Sequence, residues 1–191
     1  MGKLIVSENM SLDGVVQDPT GDEGFEYGAW FDQVSDEDRA AWAQLELEEA
    51  LTADALLLGR RSDAWFASRW LPRSGEWANR LNSMPKYVVS STLDKPRWSH
   101  STVLRGDVVD EVSHLKQAVG GDIVVYGSGQ LVHTLFESDL VDELRLMVFP
   151  VVLGAGERLF SDIGASRTLR LVEVRQVGSD ITFLTYIVRR G

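Results

Sequence analysis

The chain has 191 residues, 44% of them hydrophobic and 25% charged, a composition typical of a soluble globular protein that fits a single domain. It has no cysteine, which excludes disulfides, cysteine-ligated zinc and thiol catalysis. The net charge of −10 opposes nonspecific binding to nucleic acid or anionic lipid. No apolar run reaches the roughly 20 residues of a membrane span and no secretory signal is visible, so we expect a cytoplasmic protein. The three histidines are too scattered to predict a metal site.

The first half of the chain alternates short apolar strands with helices. Residues 3–7 are predicted as a strand, followed over 10–26 by a loop rich in Gly and Asp that could cover a site. Ser35 is predicted to cap a helix that runs to about Leu51, because the acidic residues after it favour the positive end of a helix dipole. Further strands are predicted at 53–58, which leads into a helix or turn, and at 87–90 and 102–104.

The second half continues the alternation and then changes to a hairpin. Asp107 is predicted to cap a helix that ends at Gly120, before a strand at 122–126 and a helix at 128–137. A long apolar strand is expected over 143–152, with Pro150 marking an edge or an end. The last two predicted strands, joined by a turn at 178–180, are 169–177 and 181–189.

This order of elements predicts an α/β fold in one domain spanning residues 1–191. Strands separated by helices favour parallel pairing through right-handed crossovers, whereas the terminal hairpin adds antiparallel pairing. We therefore expect a three-layer α/β/α arrangement. Its central sheet is mixed and mostly parallel, and it ends in a C-terminal antiparallel hairpin.

Polar residues follow three of the predicted strands at the point where each apolar run stops. Gly59, Arg60, Arg61 and Ser62 follow the first, and a guanidinium fork donates paired hydrogen bonds to phosphate while it keeps its charge. The alternative is that these arginines only solvate a turn between strand and helix. The second run brings small hydroxyl side chains that could approach a phosphate oxygen, or serve ordinary turn chemistry: Ser90, Ser91 and Thr92.

The third run lies between a fully apolar strand and an amphipathic helix: Gly127, Ser128, Gly129 and Gln130. Its glycines allow a ligand to approach the backbone closely, and the N-terminus of the helix offers unpaired N–H groups to a pyrophosphate. It lacks the third glycine of the classical dinucleotide fingerprint, and a turn needed only for packing stays an alternative. Together the three runs predict a site for a phosphorylated nucleotide.

Taken in order, these segments resemble the dihydrofolate reductase superfamily. The resemblance is closest to stand-alone relatives of the reductase domain of the bacterial riboflavin-biosynthesis deaminase/reductase, and it covers essentially the whole chain. The zinc motifs of the deaminase half are absent from this sequence, so we expect the reduction step alone. The motifs that carry the resemblance are Ser11–Gly14, Leu58–Arg61, Val89–Ser91, Tyr126–Gly129, Asp142–Leu146 and Pro150–Phe160.

The resemblance implies NADPH as the hydride donor, with its 2′-phosphate near Arg60, Arg61 and the Ser90–Thr92 turn and its pyrophosphate on the Gly127–Gln130 turn. It also implies that the nicotinamide sits near the Ser11–Gly14 loop. Substrate contacts are expected from Trp30, Phe66, Pro150 and Gly154. The relatives that this sequence resembles often form homodimers, and residues 146–149 could supply such a surface or could simply be core.

A reductase of this kind also needs a proton source for the atom that becomes negative. The candidates are Asp13, Glu26 and Glu157, with Asp13 preferred, although its carboxylate could instead only brace its loop. Because Glu26 does not clearly fill the position of the pterin-binding carboxylate, a phosphoribosylated aminopyrimidine is a better expected substrate than dihydrofolate. The rival hypotheses are an NADP-binding module without turnover and a purely structural interaction domain.

Overall fold

The computed structural model describes residues 1–127, 129–161, 164 and 166–189. The described chain divides into two compact units. The first unit comprises residues 1–6 and 47–142, and the second comprises 7–46 and the chain from Glu143 onward. Whether the whole chain behaves as one domain stays a prediction.

The described strands form one sheet of eight strands, to which both units contribute. Strand β1, Lys3–Ser11, belongs to the first unit up to Val6 and to the second from Ser7. In order across the sheet, the strands are β4, β3, β2, β5, β1, β6, β8 and β7.

The first unit holds a parallel run of strands. Its strands after β1 are β2 (Ala55–Gly59), β3 (Lys86–Val89), β4 (Ser101–Leu104) and β5 (Asp122–Tyr126). Strand β2 pairs in parallel with both β3 and β5, and β3 pairs in parallel with β4. Near-continuous apolar sequences such as Leu56–Leu58 are typical of parallel strands covered on both faces, and these three leucines are fully buried.

Helices connect these strands: α2 (Arg60–Trp70), α3 (Glu76–Ser83), α4 (Val108–Ala118) and α5 (Gly129–Glu137). Helix α4 begins where the Asp107 carboxylate accepts hydrogen bonds from the N–H groups of Val109 and Asp110, as predicted. A buried ammonium also orders this unit, because Lys86 Nζ donates to the carbonyls of Asn82, Met84 and Ser99.

The second unit contains the antiparallel part of the sheet. Strands β6 (Glu143–Phe149), β7 (Leu169–Val177) and β8 (Ile181–Val188) pair antiparallel through β8. A 3₁₀ helix, Trp30–Gln33, lies in this unit, and helix α1, Asp36–Thr52, begins in it and ends in the first unit. The core of the second unit is strongly aromatic, with Phe31 and Phe149 stacked at 4.8 Å between ring centroids.

Helix α1 begins at a cap that also holds the terminal hairpin. The Ser35 hydroxyl accepts a hydrogen bond from the Asp38 N–H and donates one to the Asp38 carboxylate, so the predicted cap is confirmed. The same carboxylate accepts hydrogen bonds from the N–H groups of Ser179 and Asp180 in the turn between β7 and β8. The fully buried Asp38 therefore ties the start of a helix to a turn 141 residues later.

The sequence-based fold class is confirmed by the parallel strands and by the C-terminal hairpin. Two strand ends are corrected and one helix is added. Strand β1 extends to Ser11 rather than Ser7, helix α3 was not predicted, and the strand expected over 143–152 ends at Phe149 because Pro150 cannot donate to a ladder. Leu146, Met147 and Phe149 are buried, so the alternative of core packing describes these side chains.

Candidate functional site

Three adjacent parallel strands end at one edge of the first unit. In the register of the sheet, Gly59 of β2 pairs with Val89 of β3, and Leu57 of β2 pairs with Val125 of β5. Because the strands are parallel, the loops that follow them leave the sheet on the same side. Those loops carry the residues that the sequence predicted for cofactor binding.

The loops also touch one another. The guanidinium of Arg60 donates a hydrogen bond of 3.3 Å to the hydroxyl of Thr92, which joins the loops after β2 and β3. A β-carbon built on Gly127 would lie 3.4 Å from the Ser62 hydroxyl oxygen, so the loops after β2 and β5 are also neighbours. The structure therefore brings the described parts of the three predicted runs together. We call this set of loops, residues 59–62, 90–92, 127 and 129–130, the loop edge.

The glycine after β5 has a specific backbone role. Gly127 has φ of +61°, a left-handed conformation that side chains rarely adopt. Two residues later helix α5 begins at Gly129, where an added β-carbon would meet nothing within 4 Å. Gln130 is exposed in the first turn, and Ser128 lies outside the described residues. The turn therefore leaves the backbone at the start of α5 open to a ligand.

The hydroxyl residues after β3 have different surroundings. Ser90 Oγ accepts hydrogen bonds from the N–H groups of Thr92 and Leu93, so this side chain shapes the turn. Ser91 and Thr92 are exposed, as are Arg60 and Arg61. The turn alternative thus applies to Ser90, whereas the exposed groups next to it keep the chemistry of an anion site.

Sequence reasoning missed the residue that fixes the position of the chain after β3. Asp63, in the first turn of α2, is buried, and its carboxylate accepts hydrogen bonds from the N–H groups of Arg97 and Trp98. An acid in the first turn of a helix is usually explained by its favourable interaction with the helix dipole. The sequence around Asp63 therefore gives no sign that its carboxylate contacts a segment more than 30 residues away. Asp63 holds the segment after the Ser90 turn against the helix that carries the arginines.

The donor set of the loop edge suits phosphate groups. Its hydrogen-bond donors are two guanidinium groups, a hydroxyl and the open start of a helix. Both guanidinium groups also carry a positive charge. In a chain of net charge −10, such a concentration of positive charge favours an anionic ligand. Among the described residues, no cluster of three or more His, Asp or Glu side chains could hold a metal ion.

In the second unit, Asp13 joins two loops. Its carboxylate accepts hydrogen bonds from the Ser11 hydroxyl at 2.8 Å and from the N–H groups of Leu153 at 3.1 Å and Gly154 at 2.8 Å. Arg158 adds an ion pair at 3.5 Å to this carboxylate and donates to the Asp13 carbonyl. Asp13 thus ties the loop after β1 to the loop after β6.

This environment determines the charge of Asp13. Desolvation acts to raise the pKa of the carboxyl, but the hydrogen bonds from Leu153, Ser11 and Gly154 outweigh it and lower the pKa to about 2. Asp13 is therefore a carboxylate at neutral pH. A group in this state accepts hydrogen bonds and has no proton to donate.

The remaining candidates in the second unit are more exposed. The Glu26 side chain is exposed in the 10–26 segment, and the Glu157 side chain is exposed while its backbone N–H donates to the side chain of Gln17. Pro150 is exposed at the end of β6. Gly154 is exposed too, and a β-carbon there would meet nothing within 4 Å. These residues remain accessible to a ligand.

Of the two aromatic candidates, Trp30 lies within the core of its unit and Phe66 is partly buried against the core of its own. Trp30 is fully buried in the second unit, where its indole N–H donates to the Gln17 carbonyl and its ring packs edge-on against Phe149. Phe66 lies in the first unit, stacked on Trp98 with 5.7 Å between ring centroids. Both have packing roles here, and their substrate contacts stay predictions.

A second acid that sequence reasoning missed is Glu8, near the middle of β1. It is only 8% exposed, and burial raises the pKa of its carboxyl to about 8. Sequence reasoning ended the strand at Ser7, because polar Glu8 and Asn9 interrupt the apolar run. A glutamate in a strand sequence does not predict a buried side chain, so the burial of Glu8 is known only from the structure.

Comparison with known proteins points to one family. Residues 2–183 match the family model described as RibD C-terminal domain. Among curated proteins, the uncharacterized protein YyaP of Bacillus subtilis is 33% identical over 141 residues, which cover 70% of this chain and 73% of YyaP.

Solved structures show the same fold. A protein assigned to riboflavin biosynthesis from Shewanella sp. PV-4 aligns with a TM-score of 0.77 and 24% identity, covering 98% of this chain and 99% of that one. Dihydrofolate reductase from Enterococcus faecalis, solved with NADP(H), aligns with a TM-score of 0.58 and 15% identity over 98% and 97% of the two chains. Within the described residues, no helix is long and apolar enough to cross a membrane.

Proposed function

Because the chain belongs to the RibD C-terminal domain family, we propose that it is an NADPH-dependent reductase of a small heterocyclic substrate. The observation that carries the proposal is the contact among the three loops of the loop edge. Arg60 reaches Thr92, and Ser62 lies beside Gly127, so donors from three separate segments face one region of the first unit. Convergent donors of this kind suit the phosphates of a dinucleotide.

The phosphate groups divide among these loops by charge. Arg60 and Arg61 would bind the 2′-phosphate that distinguishes NADPH from NADH, since an exposed guanidinium fork matches a terminal phosphate. The backbone at the start of α5 is open and would bind the pyrophosphate. Gly127, Gly129 and Gln130 would shape the path by which the pyrophosphate approaches it. Gly59 lies at the end of β2 as the N-cap of α2, and Ser90 orients the turn that presents Ser91 and Thr92.

When bound, NADPH supplies the hydride. The protein supplies orientation, and within the second unit two loops that carry predicted site residues are fixed to each other. Asp13 holds residues 11–17 to residues 150–159, and an antiparallel bridge between Val15 and Arg158 supports the same contact. A loop held at both ends loses little freedom when a ligand binds, which favours catalysis through positioning.

For the substrate, we propose a phosphoribosylated aminopyrimidine of the riboflavin type. The family supports this choice, as does a pyrimidine reductase-like protein of Corynebacterium diphtheriae that aligns with a TM-score of 0.59. The exposed loop residues Glu26, Pro150, Gly154 and Glu157 are proposed to contact it. A pterin is the second choice, because Glu26 does not occupy a buried position in which a carboxylate would pair with a heterocycle.

A cofactor titration tests the proposal before any substrate is known. Purified protein is titrated with NADPH and with NADH, with tryptophan fluorescence as the signal, and is then incubated with oxidised pyrimidines and pterins while absorbance at the reduced nicotinamide band is followed. Preferential NADPH binding together with acceptor-dependent oxidation supports the reductase. Binding without oxidation by any acceptor would leave the non-turnover module, and absence of NADPH binding would leave an interaction domain.

The homodimer and the cytoplasmic location also stay proposals. The apolar residues expected to form a dimer surface are largely buried in the second unit, so a dimer would have to use other surfaces. Light scattering during size-exclusion chromatography measures the mass directly, with 21.3 kDa expected for a single chain.

A further inference from the structure

Glu8 is a buried acid that has no partner among the residues that the structure describes. It lies in β1, within a sheet whose neighbouring strands are β5 on one side and β6 on the other. Only 8% of the residue is exposed, and across the described parts of the chain no hydrogen bond or ion pair reaches its carboxyl. Buried polar groups are normally hydrogen-bonded, so an unpaired carboxyl in a central strand requires an explanation.

The carboxyl is nevertheless not sealed inside the protein. Neither Glu8 oxygen is among the described side-chain atoms that are both fully enclosed and without a partner. The small exposed fraction therefore includes the polar end of the side chain. The acid thus keeps some contact with solvent although most of its side chain is buried.

The protonation state follows from this environment. Burial is the sole cause that raises the pKa of Glu8 to about 8, so the group is a neutral carboxylic acid at pH 7. The charged residues on the neighbouring strands are Asp122 on β5 and, on β6, Glu143 and Arg145, which pair with each other at 2.7 Å. On the adjoining helix α1, Trp42 donates to the amide oxygen of Asn9.

The three acids predicted from the sequence as proton sources do not offer this combination. Asp13 is ionised and fully engaged in holding two loops together, and Glu26 and Glu157 are exposed. A general acid must keep its proton at the working pH and still be within reach of the reacting atom. Glu8 alone among these four has a carboxyl that is both withdrawn from water and unoccupied by protein donors.

We propose that Glu8 is the general acid that protonates the heterocyclic substrate during its reduction. This inference rests on the proposed reductase function and names the residue that completes it. The electron-poor carbon of a C=N or C=O bond accepts the hydride supplied by NADPH, and the electron pair of that bond moves to the nitrogen or oxygen. That atom takes the proton from the Glu8 carboxyl. The resulting carboxylate regains a proton from water. In total the substrate gains one hydride, which carries the two electrons, and one proton, and NADPH is oxidised.

The first test uses the protein without cofactor. Selectively ¹³C-labelled glutamate carboxyls are titrated by NMR in the wild type and in Glu8→Gln, which identifies the Glu8 signal by its loss. A Glu8 signal that titrates near pH 8, and that shifts when an oxidised heterocycle is added, supports the proposal. If every glutamate carboxyl of the wild type titrates in the ordinary range of a glutamate, the proposal is overturned, and this outcome needs no assignment and so holds even if Glu8→Gln does not fold.

The second test measures the role in turnover. Glu8→Gln keeps the size of the side chain but has no acidic proton, so kcat should fall about 100-fold or more while the Kd for NADPH stays unchanged. Glu37→Gln, which alters an exposed glutamate in the first turn of α1, is the matched control and should match the wild type. The wild-type rate should decline as pH rises through about 8, and Glu8→Gln should lack that decline.

The two proposals fail in different ways. If the wild type oxidises NADPH with a heterocycle and Glu8→Gln does so at a similar rate and with the same pH profile, the general-acid role is wrong and the reductase function stands. If the wild type does not bind or oxidise NADPH, the reductase function is wrong and the role of Glu8 fails with it.

Discussion

Arg60 and Thr92 are joined by a hydrogen bond of 3.3 Å between guanidinium and hydroxyl, although 32 residues separate them in the chain. This contact places a permanent positive charge beside the small hydroxyl turn that follows β3. Neither sequence segment is specific alone, because arginine pairs and Ser-Ser-Thr turns are common on protein surfaces. Their contact, in a first unit where both follow adjacent parallel strands, is what gives the pair the character of an anion site.

Changing Arg60 and Arg61 together to alanine should weaken NADPH binding and spare NADH. Charged hydrogen bonds are worth about 1.5–3 kcal/mol each, so a loss of about 100-fold in NADPH affinity is expected. Isothermal titration with both cofactors measures it. Arg175→Ala, which removes an exposed arginine on β7, is the control and should change neither affinity. Equal losses for NADPH and NADH would remove the assignment of the 2′-phosphate.

Gly127→Ala should destabilise the protein, because φ of +61° is strained for any residue with a side chain and the new methyl group meets Ser62 at 3.4 Å. We expect a loss of about 1–2 kcal/mol, together with weaker binding of both cofactors. Gly129→Ala is the comparison for stability. It lies in a helix with open space at the β-carbon and should stabilise by up to about 1 kcal/mol. Urea unfolding should therefore show a lower free energy of unfolding than the wild type for Gly127→Ala and a higher one for Gly129→Ala.

Asp13→Asn tests the contact between the two loops of the second unit. The substitution removes the charge that accepts hydrogen bonds from Leu153 and Gly154, and we expect a loss of about 1 kcal/mol in the free energy of unfolding at pH 7. Because the folded pKa of Asp13 is depressed to about 2, its contribution is present above pH 4 and is lost as pH falls toward 2. The wild type and the variant should therefore converge in acid, as measured by thermal unfolding. A difference that persisted at pH 2 would contradict this account.

Glu8→Gln should have the opposite dependence on pH. The folded protein keeps the Glu8 proton up to about pH 8, whereas the unfolded chain releases it near 4.5, so wild-type stability falls as pH rises between these values. At 1.4 kcal/mol for each pKa unit, the cost reaches on the order of 5 kcal/mol above pH 8. The glutamine variant avoids this cost and should be more stable than the wild type at pH 8 and similar at pH 4. Parallel urea unfolding curves at both values check the sign.

The sequence predicted those features that depend on local pattern. Apolar runs such as 122–126 and capping residues such as Ser35 and Asp107 matched the structure because their signals lie within a few residues. Helix α3 was missed although Trp77, Ala78 and Leu81 have helical spacing, since the segment is short and polar at its other positions.

The candidate site was predictable only in part. The composition of the loop edge could be read from the chain, because parallel strands bring their following loops to a common side. Two other features could not be predicted from the sequence, because both depend on tertiary packing between distant segments. They are the burial of Glu8 and the contact from Asp63 to the backbone near Trp98. The engagement of Asp13 by residues about 140 positions away likewise has no local signature.

The hydrogen bonds between Asp38 and the turn before β8 have a consequence for folding during translation. The second unit is discontinuous, with residues 7–46 separated from its last strands by nearly all of the first unit. During translation its aromatic residues therefore emerge long before their antiparallel partners. The Asp38 carboxylate likewise cannot form its hydrogen bonds to the turn until a further 141 residues have been made. The contiguous segment 47–142 faces no such delay. We expect nascent chains to acquire protease resistance first in this middle segment, and last in the two ends that complete each other.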